Sequence, residues 1–294
     1  MVFKFNSVLR TNMSISASSS LDSSGLELST LELSSIDKST CQDLRFILTD
    51  FDDTLTWEGQ LPVETLRALA QLEADGIKVI PVTGGCAGWS DMIARALPVD
   101  GVITEGGACF IGRTADRHLT YSFWRDESEM RAEQAHILAQ VNQVLTQFPR
   151  LRLARDQAYR LTDVAIDYAQ DVKPAAVVDK DACLAALIDM GLNAKASSIH
   201  INVCSQGYDK FSMAQRVLSE VYGLSETQQQ EQVLYVGDAP NDESMFARFP
   251  LSVGVANIAE HLSIMRHHPR YQTTQPGGLG FAELAEFILS ARQA

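Results

Sequence analysis

Short apolar runs alternate with segments of helical periodicity along much of this chain, and this alternation limits the folds open to it. Apolar strands are expected at 45–49, 77–82, 101–104, 232–236 and 251–255. The intervening stretches 62–74 and 88–97 space their apolar residues as one face of a helix does. Strands that alternate with helices at this spacing form a parallel sheet covered on both faces. The sequence therefore predicts an α/β fold with a Rossmann-like parallel-sheet core.

The middle of the chain has a different pattern. It contains longer helical segments, and Asp163–Asp167 alternates polar and apolar residues, as in a sheet with one solvated face. Residues 196–203 are expected to form the strand that returns to the core. We therefore predict an α+β cap that determines substrate specificity, at 112–198, inserted in a catalytic core formed by 44–111 and 199–294.

The N-terminal residues 1–43 are rich in Ser, Thr and Leu. Because such a composition buries little apolar surface, we expect a disordered leader over this stretch. A weak organellar transit peptide is the alternative, since Lys4 and Arg10 precede the first acidic residue, Asp22.

Charge and cysteine content exclude several classes of partner. The net charge of −13 argues against binding of nucleic acid or of an anionic membrane. No apolar run reaches the roughly 18 residues that a membrane-spanning helix requires. The five cysteines are scattered without a CxxC pair, which favours reduced thiols and a cytoplasmic location. The sequence carries no signal for an oligomeric state.

Two carboxylates, Asp50 and Asp52, follow the first predicted strand. Ligands of an open α/β sheet bind in the crevice at the carboxyl ends of its strands. There, one carboxylate can attack phosphorus as a nucleophile, and the second can protonate the leaving alkoxide. Taken alone, these residues are more typical of an acidic loop or a helix cap.

A second acidic cluster, Gly237–Asp242, follows another apolar strand. Taken alone it is as typical of a turn that leads into a helix as of a metal site. Two acidic clusters at the ends of parallel strands would place like charges side by side, which requires a cation. Mg²⁺ prefers hard oxygen ligands and takes one or two carboxylates in many sites. Asp50, Asp238 and Asp242 are therefore its candidate ligands.

Two further motifs are candidates for binding an anion. Thr83 and Gly84 lie between a strand and a helix, where a hydroxyl beside glycine-exposed N–H groups suits a phosphate. Lys210 lies at the start of a predicted helix at 209–222, where the helix dipole disfavours a cation unless it faces an anion. A plain strand-to-helix turn and an exposed surface lysine are the alternatives.

In this order, the four motifs resemble those of the haloacid-dehalogenase-like phosphohydrolase superfamily over about 44–289. The insertion between Thr83 and Lys210 is similar to the cap of its Cof-like branch, subfamily IIB. The resemblance implies that Asp50 is the nucleophile and Asp52 the general acid and base. It also implies that Thr83 binds the transferring phosphoryl group and that Lys210 steadies that group and Asp50.

For the metal, the resemblance implies Mg²⁺ held by Asp50, the backbone carbonyl of Asp52 and Asp238, with Asp242 close by and Asn241 in support. The sequence departs from the family pattern at Gly106, where many relatives have Asn, and at Gly85, where an Arg commonly follows Thr-Gly. In the cap, Arg155 and Arg160 are candidate substrate contacts, because guanidinium groups suit anions.

The expected function is Mg²⁺-dependent hydrolysis of a small phosphorylated metabolite, with a sugar phosphate favoured, through an aspartyl-phosphate intermediate. A phosphotransferase or phosphomutase would use the same Asp50 chemistry and pass the phosphoryl group to a second hydroxyl. A non-catalytic phospho-acceptor or binding module is the other alternative, although such a module has no use for a general acid at Asp52.

Overall fold

In a computed structural model that describes residues 30–114, 116, 118–197 and 199–293, a six-stranded parallel sheet forms the centre of the core. Its spatial order is β1 (Leu31–Glu32), β13 (Tyr271–Gln272), β12 (Ser252–Gly254), β11 (Val233–Gly237), β2 (Phe46–Thr49) and β3 (Lys78–Pro81). β11 and β2 pair in register, Val236 beside Thr49, so both strands end at the same edge. The α/β prediction with a parallel-sheet core is confirmed.

Helices cover both faces of this sheet. Alternate residues of β2 face two different apolar clusters, Ile47 on one side and Leu48 on the other. The first cluster includes residues of α1 (Lys38–Asp43), α2 (Val63–Ala74), α3 (Ala87–Ala96) and α9 (Gly277–Gln293). The second includes residues of α6 (Lys210–Arg216) and α8 (Glu243–Phe246), and α7 (Glu226–Gln232) leads into β11.

The N-terminal part of the described chain belongs to the core. β1 pairs with β13, and Leu33, Ile36 and Cys41 are buried in the first cluster. Arg292 of α9 donates hydrogen bonds to the carbonyls of Cys41, Gln42 and Leu44, which ties α1 to the C-terminal helix. The prediction of a disordered leader over 1–43 is therefore wrong for residues 30–43, because a few apolar side chains in a polar stretch pack onto the core. Residues 1–29 lie outside the described part.

A three-stranded antiparallel sheet lies beside the core sheet. It consists of β4 (Gly101–Thr104), β5 (Cys109–Arg113) and β6 (Leu119–Phe123). β4 joins the parallel sheet through a single bridge between Val82 and Ile103. β4 is the predicted third strand. It continues directly into this hairpin and is therefore the first strand of a separate sheet beside the core sheet.

The inserted part is a four-stranded antiparallel sheet packed on two helices. Its order is β7 (Arg152–Leu153), β8 (Val164–Asp167), β10 (His200–Cys204) and β9 (Asn193–Ala196). The helices are α4 (Glu127–Leu145) and α5 (Val177–Asp189), and they share one apolar cluster with one face of the sheet. β10 pairs with β8 and β9, so the expectation that 196–203 returns to the core is wrong. We call this part the cap.

All five cysteines are free thiols. No helix in the described part of the chain combines the length and apolar character needed to cross a membrane.

Candidate active site

Three buried carboxylates converge at the carboxyl edge of the parallel sheet. Asp50 follows β2, Asp238 follows β11, and Asp242 ends the short turn of 3₁₀-helix Pro240–Asp242. One oxygen of each lies within 4.8 Å of an oxygen of the other two. Burial and the negative charge of the neighbouring carboxylates raise the pKa of both Asp50 and Asp238. The structure thus brings together the predicted acidic residues.

Lys210 lies between two of these carboxylates. Its Nζ is 2.7 Å from Oδ1 of Asp50 and 2.7 Å from Oδ1 of Asp242. Burial lowers the pKa of Lys210, but the charges of Asp242 and Asp50 outweigh burial and the pKa is raised. The lysine is therefore charged and salt-bridged to the predicted nucleophile.

Local packing places Lys210 in this position. Asp209 caps α6 through a reciprocal pair of hydrogen bonds with Ser212, so Lys210 is the first residue of the helix. The chain at Asp209 passes directly over Gly107, where a Cβ would lie 2.2 Å from the Asp209 carbonyl oxygen. Gly107 also has a φ of 108°, which favours glycine. Gly107 thus permits the close approach of α6 to the core.

Asp242 has both carboxylate oxygens engaged by the protein. Oδ1 accepts hydrogen bonds from Lys210 and from the hydroxyl of Tyr235, at 2.7 and 2.6 Å. Oδ2 accepts from the backbone N–H groups of Asp238 and Ala239, at 3.2 and 3.4 Å. Because these four donors occupy its lone pairs, Asp242 orients Lys210 and does not offer a free oxygen to a cation. The sequence analysis missed Tyr235, whose only signal is a hydroxyl-bearing residue in an otherwise apolar strand.

Asp238 is held by two side chains that the sequence analysis also missed. Thr54 donates to Oδ1 at 3.0 Å, and Asn257 donates to Oδ2 at 3.0 Å. Asn257 donates in addition to the carbonyl of Asp53 and accepts from the N–H of Gly277. Each oxygen of Asp238 keeps a free lone pair, so the carboxylate is oriented and still able to bind a cation.

The donor set fits a magnesium ion. Three carboxylates and one ammonium leave two formal negative charges in a buried site. Asn241 lies beside this cluster, and its Oδ1 is buried without a hydrogen-bond partner in the described residues. Hard oxygen ligands and excess negative charge suit Mg²⁺, and the unpaired amide oxygen of Asn241 is a further oxygen of the same kind.

Asp52 lies where the core faces the cap. Its side chain is exposed to solvent, yet protein surrounds it closely enough that desolvation, together with Asp53, raises its pKa. Lys210 of the core and Arg160 of the cap act in the opposite direction. The turn that places it includes Asp53 in the left-handed region, at φ 54°, with its N–H bonded to the hydroxyl of Thr56. Asp52 therefore combines access to solvent with a raised pKa, as expected of a general acid.

The predicted phosphate loop, Thr83–Gly85, is held by several hydrogen bonds, and Thr83 is buried whereas the two glycines are partly exposed. The Thr83 N–H donates to the carbonyl of Ile103 at 2.8 Å. The Thr83 hydroxyl oxygen accepts the N–H of Gly85 at 2.8 Å, which leaves its proton available to a ligand. The Thr83 carbonyl accepts from Gly106, and the Gly85 carbonyl accepts from the N–H of Glu105.

Arg160 was predicted as a substrate contact, but its guanidinium group is engaged by other residues of the protein. Its side chain is buried, pairs with Asp156 at 2.9 Å and Asp163 at 2.8 Å, and donates to the carbonyl of Gly84 at 3.1 Å. Arg160 is thus a link between cap and core, because ion pairs on both edges of the guanidinium remove it from a substrate. Arg155 is exposed and pairs with Asp171 at 3.1 Å, and its contact with substrate stays a prediction.

A buried glutamate forms a second link that the sequence analysis did not predict. Glu105 of the core accepts the N–H of Leu161 on Oε1 and both the N–H and the hydroxyl of Thr162 on Oε2, at 2.5–2.8 Å. Its Oε1 also accepts the N–H of Ala87, the first residue of α3. The four donors thus join the N-terminus of α3 in the core to the cap segment at Leu161 and Thr162 through one carboxylate.

Similar proteins are found among curated sequences and among solved structures, whereas no protein-family model matches the chain. The chain is 29% identical over 251 residues to a phosphoglycolate phosphatase of Pyrobaculum neutrophilum, an alignment that covers 84% of this chain and 96% of that one.

Three solved structures illustrate the likeness of fold. A Thermoplasma acidophilum protein has a TM-score of 0.62 at 17% identity, covering 84% of this chain and 98% of its own. A haloacid dehalogenase-like hydrolase from Bacteroides thetaiotaomicron has a TM-score of 0.60 at 17% identity, with 83% and 99% covered. The trehalose-6-phosphate phosphatase of Aspergillus fumigatus has a TM-score of 0.53 at 18% identity, with 90% and 100% covered. The chain is therefore similar in fold to haloacid dehalogenase-like hydrolases and similar in sequence to a phosphoglycolate phosphatase.

Proposed function

We propose that the protein is a cytoplasmic, Mg²⁺-dependent phosphatase that hydrolyses a small phosphomonoester through an aspartyl-phosphate on Asp50. The observation that carries this proposal is the pairing of a buried Asp50 with a charged Lys210 at 2.7 Å, beside the carboxylate of Asp238. The salt bridge fixes one oxygen of Asp50, and its second oxygen remains free to attack phosphorus.

In the first step, an oxygen of Asp50 forms a bond to phosphorus, and the bond from phosphorus to the ester oxygen breaks. Asp52 gives its proton to the leaving alkoxide, and the raised pKa of its carboxyl group favours the protonated form that this step needs. The Thr83 hydroxyl and Lys210 bind oxygens of the transferring group.

In the second step, a water molecule attacks the phosphorus of the acyl phosphate and gives a proton to Asp52, which releases inorganic phosphate and restores Asp50. Asp50, Asp238 and the backbone carbonyl of Asp52 would hold Mg²⁺, with Asn241 in support. When bound, the ion neutralises charge on the phosphoryl oxygens. Asp242 contributes by orienting Lys210.

The position of the cap and the net charge of the chain support a class of substrate. The cap lies directly over the phosphate loop, which suits a small phosphorylated metabolite, and a sugar phosphate is the favoured class. The names of two similar proteins, a phosphoglycolate phosphatase and a trehalose-6-phosphate phosphatase, support a small phosphomonoester. The net charge of −13 disfavours nucleic acid as substrate.

The test measures phosphate release from a panel of phosphorylated sugars and small phosphorylated acids, with Mg²⁺ and with EDTA. Wild type should release phosphate only with Mg²⁺, and Asp50→Asn should lower turnover by at least about 10³-fold because the nucleophile is lost. Asp100→Asn is the matched control, since Asp100 pairs with Lys78 outside the site and should keep wild-type turnover. Absence of release from every compound by folded wild type with Mg²⁺ would reject a hydrolase. Consumption of substrate without free phosphate would indicate phosphoryl transfer.

A further inference from the structure

The carbonyl groups of the phosphate loop are held from two directions. Core residues hold the carbonyls of Thr83 and Gly85. The N–H of Gly106 donates to the Thr83 carbonyl, and the N–H of Glu105 and the hydroxyl of Thr104 donate to the Gly85 carbonyl. The middle carbonyl, that of Gly84, is held by the cap. Nδ2 of Asn202 donates to it at 2.9 Å, and Arg160 donates to it at 3.1 Å.

The Gly84 carbonyl controls the orientation of the Thr83 hydroxyl. It belongs to the same planar peptide unit as the N–H of Gly85, and in a trans peptide these two groups point in opposite directions. That N–H donates to Oγ1 of Thr83 at 2.8 Å, which occupies a lone pair of the hydroxyl oxygen and leaves its proton free for a ligand. A peptide unit between two glycines rotates easily, because neither residue has a Cβ to restrict it. An outside anchor on the Gly84 carbonyl is therefore needed to keep this orientation.

Asn202 is itself firmly placed on the polar face of the cap sheet. It lies in β10 opposite Ala165 of β8, and its Nδ2 also lies 3.3 Å from the carboxylate of Asp163. The contact is close on the core side as well, since a Cβ at Gly84 would lie 3.2 Å from Nδ2 of Asn202. The sequence at Gly84 thus leaves room for this cap residue.

We infer that Asn202 is a positioning residue for phosphate binding, acting through the Gly84 carbonyl and the Gly85 N–H on the hydroxyl of Thr83. Phosphate affinity then depends on contact between cap and core, because the two donors to the Gly84 carbonyl, Asn202 and Arg160, both belong to the cap. This inference rests on the phosphatase function proposed above.

Asn202→Ala is the informative variant, because Arg160→Ala would also leave Asp156 and Asp163 without their buried partner and risk misfolding. We expect KM for the best substrate, and the inhibition constant of inorganic phosphate, to rise together by about 3- to 10-fold, the size of one hydrogen bond. The Mg²⁺ concentration for half-maximal activity should not change, since Asn202 contacts no residue of the carboxylate cluster. Asn193→Ala is the matched control in the neighbouring strand β9, where the amide contacts Cys204 and Ser205 within the cap.

A double-mutant cycle with Thr83→Ala separates positioning from a general effect on cap folding. If Asn202 acts through the Thr83 hydroxyl, Asn202→Ala should have almost no further effect on phosphate inhibition in the Thr83→Ala background. Gly84→Ala should reproduce the Asn202→Ala defect from the core side, because its Cβ displaces the amide.

Additive effects of the two substitutions, or kinetics of Asn202→Ala equal to those of Asn193→Ala, would overturn the inference while leaving the phosphatase proposal intact. Failure of wild type to release phosphate from any compound would instead remove the proposed function, and the inference with it.

Discussion

At the scale of single residues, the site depends on how folding distributes charge. Lys210 is the cation that touches both Asp50 and Asp242, and the hydroxyl of Tyr235 and two backbone N–H groups complete the partners of Asp242. Carboxylates buried at such distances are unfavourable without a cation, so the same charges that prepare the site for Mg²⁺ destabilise the metal-free fold.

Lys210→Met should therefore destabilise the protein by about 3–5 kcal/mol, because two buried carboxylates lose their partner. Added Mg²⁺ should recover more stability in the variant than it adds to wild type, since the ion supplies positive charge to the same carboxylates. Urea unfolding with Mg²⁺ and with EDTA measures both effects.

The control for this prediction is Lys78→Met, whose ammonium forms a half-exposed ion pair with Asp100. It should cost less than about 1 kcal/mol and show no added response to Mg²⁺. An equal loss in the two variants would mean that the buried salt bridges of Lys210 carry no special weight.

At the scale of elements, the segment before β2 shows how little apolar surface is needed to anchor a strand and a helix. Leu33, Ile36 and Cys41 are separated by polar residues, yet all three are buried against the core. Arg292 at the end of α9 fixes the carbonyls at the end of α1, and it pairs with Asp75 just after α2. The first and the last elements of the described chain are thus held together on the parallel sheet.

Ile36→Ala should lower the free energy of unfolding by about 2–5 kcal/mol, because a buried side chain is replaced by a partly filled cavity. Leu31→Ala, in the same segment at a side chain that is 45% exposed, is the matched control and should cost about 1 kcal/mol or less. Guanidinium unfolding of both variants checks this, and similar midpoints would contradict packing of Ile36 on the core. Activity per folded molecule should stay at the wild-type level, since Ile36 belongs to the first apolar cluster and not to the carboxylate cluster.

At the scale of the whole molecule, several buried polar groups link the cap to the core. Glu105 receives donors from α3 of the core and from the cap residues Leu161 and Thr162, and Arg160 and Asn202 reach Gly84 from the cap. Close approach also requires Gly88, where a Cβ would lie 2.7 Å from the Cβ of Tyr159. Polar contacts of this kind form and break with less change in apolar burial than a hydrophobic interface would require, which suits a cap that opens for substrate.

Glu105→Gln should shift the molecule toward open arrangements of cap and core. An amide cannot accept on both ends, so its NH₂ group would face N–H donors, and at least one charge-assisted bond of about 1.5–3 kcal/mol is lost. We expect a larger radius of gyration in small-angle X-ray scattering and faster proteolysis at 154–163.

Glu133→Gln, which affects a partly exposed ion pair with Arg125 within the cap, should leave both measurements unchanged. A radius of gyration and a proteolysis rate equal to those of wild type in Glu105→Gln would show that this carboxylate does not hold the cap against the core.

The sequence by itself determined the α/β core and the residues that follow its strands. Periodicity located β2, β3 and β11, and the carboxyl ends of parallel strands bring Asp50, Thr83 and Asp238 to one edge whatever the details of packing. The roles of Tyr235 and Asn257 cannot be predicted in this way, because their partners are distant in sequence and only the packed chain brings them together.

Tertiary structure alone decided which groups remain free and which are engaged. Arg160 and Arg155 have the same chemistry in the sequence, but burial between two carboxylates engages Arg160 and leaves Arg155 exposed. Tertiary structure likewise placed β10 in the cap, since strand pairing depends on contacts between segments far apart in the chain and not on local pattern. Local pattern fixes where an element lies along the chain, whereas burial and pairing in three dimensions fix what its side chains contact.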